Sequence, residues 1–182
     1  MLHKVDAEKG EGPELSKAHT VGGYPTFLMV NADLQPIDRW MGYSKSMFGE
    51  MMGGAMADLA TIDQKRMRFE KKPTASDADK LARYDASRGE YAAAVGLYRK
   101  ASELEPATDR SGKIFETVFR GYRKEVFSQD ELTQAADAAI QSPDPSTTLQ
   151  TAQLMTHVAM KDHDSAMIAK YLAPAGERTK DA

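Results

Sequence analysis

The amino-acid sequence predicts an α+β chain that is predominantly helical, with a β-hairpin and helices over residues 1–73 and helical hairpins over residues 74–182. Three observations lead there. Phe27-Leu28-Met29-Val30 is a short apolar run between Pro25 and Asn31-Ala32-Asp33, and Pro36-Ile37-Asp38-Arg39-Trp40 follows at once, as two strands meeting at a turn should read. From Ser44 onward the apolar residues take helical rather than alternating spacing. Lys71-Lys72-Pro73-Thr74 interrupts that pattern, because a residue before proline disfavours the helical region, and the domain boundary is expected there.

Taken in order, Pro13–His19 is expected to form a short helix with Pro13 in its first turn. The two strands would pair antiparallel through Asn31–Gln35, with Ile37 and Arg39 on one face and Asp38 and Trp40 on the other. Met47, Met51, Met52 and Met56, with Phe48, outline an apolar helix face suited to core packing, and Gly53-Gly54 is expected to bend or split that helix. Three helical hairpins follow: Asp77–Arg88 with Tyr91–Leu104, Lys113–Val126 with Asp130–Gln141, and Thr147–Met160 with Asp164–Leu172. Ile114, Val118, Tyr122 and Val126 recur every fourth residue, Ser128 and Glu131 make a capping box, and Ser142–Ser146 is a break. Corresponding parts recur in the mid-thirties of residues, the rhythm of helix-pair repeats.

Composition bounds the function. The 182 residues are 41% apolar, sufficient for a packed core. A net charge of −3 gives no electrostatic case for nucleic acid. No apolar run approaches the roughly 18 residues of a membrane span. Met1–Asp6 lacks the apolar centre of a secretory signal, so a soluble chain without an export address is expected. There is no cysteine, which removes a disulfide framework, a thiolate nucleophile and cysteine-ligated zinc together.

Val21-Gly22-Gly23-Tyr24-Pro25-Thr26-Phe27-Leu28 resembles the segment of the thioredoxin family in which a cis proline borders the active site. Val5-Asp6-Ala7-Glu8 resembles the end of the strand before it, Glu14–His19 the intervening helix, and Trp40-Met41-Gly42-Tyr43 the lead into the last helix. Read from the residues alone, Pro25 is as well a trans proline opening a strand, where its missing N–H does no harm; the surrounding matches favour cis. The resemblance implies that Tyr24, with Pro25 and Thr26, binds an extended peptide through the backbone of the residue before proline. It also implies that the family's Cys-x-x-Cys lies upstream of everything seen here. Either the chain is a piece of a longer bacterial thiol–disulfide oxidoreductase, periplasmic in that case and the preferred explanation, or it is a short, otherwise cytoplasmic protein. In the second case a partner strand, or a second copy pairing along the exposed edge of Phe27–Val30, fills the gap.

Leu81, Ala82, Gly89, Tyr91, Ala94, Tyr98, Ala101 and Pro106 fit one tetratricopeptide repeat, with Ala78 and Asp85 departing from its usual Trp and Tyr. The two later hairpins keep the rhythm and lose most of the signature. A peptide-binding array and a mere scaffold or lid stand level.

Other candidates are weak. His157 and His163, with Asp162 and Asp164, lack the three- or four-residue spacing of helical metal ligands. Glu8 and Glu11, between glycines, read as a solvated turn, and neither a phosphate loop nor a nucleophile–base pair is present. The expectation is therefore a truncated, non-catalytic thioredoxin-like module with a tetratricopeptide-like array. It would act by binding a protein or peptide, with no cofactor, metal or catalytic residue.

Overall fold

The computed structural model describes residues 3–161 and 163–178. Helix α1 spans Gly12–Ala18, strands β1 and β2 span Thr26–Val30 and Pro36–Met41, and α2 to α4 span Lys45–Ala57, Ile62–Lys71 and Ala75–Arg88. Helices α5 to α9 span Tyr91–Leu104, Ser111–Tyr122, Gln129–Ala139, Pro145–Lys161 and Ser165–Arg178. The chain is thus predominantly helical with a small antiparallel sheet. Among the described residues no helix is long and apolar enough to cross a membrane.

Local chemistry sets the helix starts. The hydroxyls of Ser44, Thr61, Thr74 and Ser128 accept from the backbone N–H three residues on, and Gln64 and Glu131 complete capping boxes with Thr61 and Ser128. Gly89, at φ +87°, ends α4 in the left-handed conformation that glycine adopts most readily. In the hairpin turn Asn31 Oδ1 accepts from Asp33 N at 3.0 Å and Gln35 N at 2.8 Å.

The chain divides into two units, Met1–Glu90 and Tyr91–Ala182. The division falls after α4, whereas the sequence places a boundary near residue 73, at the end of α3. In the first unit β1 and β2 pair with Phe27 opposite Trp40 and Leu28 opposite Arg39, and the register shifts between Met29 and Val30. Helices α2, α3 and α4 pack against β2, around Ile37, Trp40, Ala55, Ile62, Ala78, Leu81 and Ala82. In the second unit α6 packs against α5 and α7, and α8 against α9. Their common core includes Val95, Phe115, Val118, Leu132, Ala136, Ile140, Met155 and Tyr171.

Four local expectations need correction. Residues 3–6 form no strand and Val5 is exposed, because a lone strand has no ladder to join; Met1 and Leu2 lie outside the described residues. Gly53-Gly54 sits inside an unbroken α2, both glycines being exposed with open space around them. The break comes instead at Asp58–Thr61, where the Thr61 capping box starts α3. Helix α6 ends at Tyr122, so Val126 lies beyond it, 46% exposed, while Val118 is buried. The methionine face is also only half-buried, and Met56 is exposed.

Candidate functional site

The segment entering β1 leaves α1 through Val21, whose N–H donates to Ser16 O at 2.8 Å. The Tyr24–Pro25 peptide bond is cis. Thr26 Oγ1 donates to Gly23 O at 2.6 Å, and Gly42 N donates to Pro25 O at 2.9 Å, which ties the bend to the end of β2. Pro25 is exposed, and Tyr24 is 67% exposed. Among the described residues no hydrogen bond engages the backbone of Tyr24.

The ladder fixes which way β1 presents its polar groups. Pro25 and Gly42 are a hydrogen-bonded pair in register with Phe27 and Trp40. Because hydrogen-bonded and non-hydrogen-bonded pairs alternate in an antiparallel ladder, the N–H and C=O of Phe27 and Met29 face β2. Those of Thr26 and Leu28 face away from it. The sheet has two strands among the described residues, so this outer edge meets no further strand. Thr26 and Leu28 therefore form an outward-facing series, and Tyr24 precedes it.

Aromatic rings cover one face beside that edge. Phe27 stacks on Trp40 with centroids 5.4 Å apart, and Phe48 of α2 meets Phe27 edge-on at 5.1 Å. Tyr43 closes the group at 5.9 Å from Phe48. Trp40 is buried, and its Nε1 has no acceptor among the described residues.

Buried charge holds β2 to the surrounding elements. Arg39, 2% exposed, donates through Nη1 to His19 O and through Nη2 to Thr20 O at 2.8 Å. Burial lowers its pKa, and the Arg88 charge adds to that effect against the opposing influence of Tyr84. Lys65 Nζ donates to the carbonyls of Ile37 at 2.9 Å, Ala60 at 2.5 Å and Asp58 at 3.2 Å, and burial lowers its pKa also. The buried Asp38 carboxylate meets Arg83 of α4 at 2.5 Å. Arg68 bridges Asp58 at 2.8 Å and also pairs with Asp77, which holds the Asp58 carboxyl far below its usual range.

Sequence reasoning did not single out Arg39 or Lys65. The available signal for Lys65 was its position three residues after Ile62, on the inward face of α3. The residues expected to form a repeat are divided between the units. Leu81 and Ala82 are buried in α4 and Gly89 caps it, while Ala94, Tyr98 and Ala101 are buried in α5. Tyr91 is half-buried, and Pro106 is exposed after α5.

Among the described residues no group of three or more His, Asp or Glu is placed to hold a metal ion. Of the residues around His163, Asp162 lies outside the described residues, and Asp164 accepts from Met167 N at 2.9 Å in the first turn of α9. No family model, curated protein or solved structure matches the chain.

Proposed function

We propose that the chain binds a protein or peptide segment in extended form along the outer edge of β1, with Tyr24, Pro25 and Thr26 at one end of the contact. The observation that carries this reading is the outward series of Thr26 and Leu28, preceded by Tyr24, whose backbone groups have no partner among the described residues. A peptide added there gains main-chain hydrogen bonds, and alternate side chains supply selectivity. Exposed Tyr24 and the aromatic group around Phe27 offer apolar contact at low entropic cost. In this reading the hairpin belongs to a thioredoxin-like module without redox cysteines, and the later helices belong to a tetratricopeptide-like array.

The test is selection from a displayed library of random decapeptides against the whole chain. Selected peptides are expected to bind the native chain and to lose at least tenfold in affinity on Leu28→Pro, which removes an outward N–H and spares the bonds to β2. Equal binding by that variant, with its circular dichroism unchanged, would overturn the reading. A second copy of the chain is the alternative occupant of the same edge. Sedimentation equilibrium would then give a dimer that Leu28→Pro dissociates.

A further inference from the structure

A small cavity of about 80 Å³ lies on the face of the hairpin opposite the aromatic group, lined by His19, Leu28, Leu34, Arg39, Tyr84 and Arg88. Its charge is unusual. Arg39 is almost fully buried, yet among the described residues its guanidinium meets no carboxylate. Two of its nitrogens are taken by the carbonyls of His19 and Thr20 just after α1, and Nε is buried without a partner among the described residues. The nearest carboxylate in sequence, Asp38, is engaged by Arg83. Arg88 adds a second guanidinium, held 5.8 Å from the Tyr84 ring, and it too has no carboxylate partner among the described residues. Two cations thus border one cavity with only carbonyl dipoles to offset them; Arg88 is exposed, whereas the Arg39 charge is out of water, which is unfavourable unless an anion or further acceptors join it.

We propose that this cavity binds a phosphate group, free or carried as a monoester. The charge on the group matches that of the two guanidiniums, and its tetrahedral oxygens can accept from planar donors arriving from different directions. The volume admits the group itself and leaves any attached moiety outside. This site is independent of the peptide edge: it uses the side-chain face of Leu28 and Arg39, whereas the edge uses main-chain groups of Tyr24, Thr26 and Leu28.

The experiment is calorimetric titration of the whole chain with inorganic phosphate and, separately, with phosphoserine, at constant ionic strength. Saturable one-to-one binding of either is expected, lost at least tenfold in Arg88→Gln and retained in Lys72→Gln, which removes the same charge elsewhere. Circular dichroism of both variants should match that of the native chain. Binding of phosphoserine alone would identify the monoester as the source, and binding of phosphate alone the free ion. Failure of both to saturate, equal binding of acetate, or equal binding by Arg88→Gln would overturn the proposal. None of these outcomes bears on the decapeptide selection.

Discussion

Lys65 Nζ lies 2.9 Å from the carbonyl oxygen of Ile37, so a lysine of α3 occupies the hydrogen-bonding position that a neighbouring strand would take beside β2. The same ammonium meets the carbonyls of Asp58 and Ala60 in the turn before α3. One side chain therefore fixes the strand, the turn and the helix relative to one another.

Lys65→Met keeps the apolar stem and leaves three carbonyls without their donor. Urea unfolding is expected to show a loss of about 3 kcal/mol, the scale of buried acceptors deprived of a charged partner. A loss below about 1 kcal/mol would mean that water replaces the ammonium without penalty.

Gly121 lies in α6 where an added Cβ would stand 2.5 Å from Phe127 Cδ2 and 3.1 Å from Tyr91 Cβ. Gly121→Ala is expected to destabilise the second unit by about 1–3 kcal/mol through overpacking, in spite of alanine's better helix propensity. Combining it with Phe127→Leu should recover part of that loss, measured as non-additivity in a double-mutant cycle.

Tyr98 is buried in α5, between Ala94 and Ala101 of the expected repeat, with Lys113 Nζ 6.0 Å from its ring. Tyr98→Ala should cost about 3–5 kcal/mol as a truncated core aromatic. A change under about 1 kcal/mol in chemical denaturation would undo the repeat alignment.

Asp144 precedes α8 and accepts from the hydroxyl of Ser146 at 2.6 Å and that of Thr147 at 2.8 Å, and from their backbone N–H groups at 3.1 and 3.2 Å. These bonds hold its carboxyl down at about 2, against about 3.9 for an unfolded chain. A depressed carboxyl stabilises the fold fully above the unfolded value, and that contribution fades as pH falls from about 4 toward 2. The melting-temperature gap between the native chain and Asp144→Ala should be constant above pH 5 and narrow between pH 4 and 2. A gap independent of pH would show that the carboxylate is not the stabilising group.

The hairpin was legible because its signals are local: an apolar run, a turn built on Asn31, and a second run ending in Trp40. The six helices after Pro73 were legible from periodicity and from caps such as Ser128 with Glu131. The start of α3 was missed although Thr61 and Gln64 carry the capping-box signature, since helical spacing continued across it and the adjacent glycines drew the break to the wrong place. Two exposed glycines cost a helix only about 1 kcal/mol each, and α2 runs through them. Tyr24, Pro25 and Thr26 were singled out by resemblance alone, and which way the backbone of β1 points required the register. Arg39 and Lys65 were hidden for another reason: their partners are backbone carbonyls, and every residue has one, so no pairing pattern appears in the sequence.

The ion pair between Asp38 and Arg83 bears on how the protein is handled as pieces. Expression of residues 1–73 alone would supply the hairpin and omit α4. It would leave Asp38 inside the fold as a carboxylate without its cation, and would remove Ala78, Leu81 and Ala82 from the surface of β2. The smallest autonomous portion of this half consequently ends beyond Arg88, and a protease acting on the native chain should release its first stable fragment from the connection after Gly89 rather than from the proline that looks like a hinge.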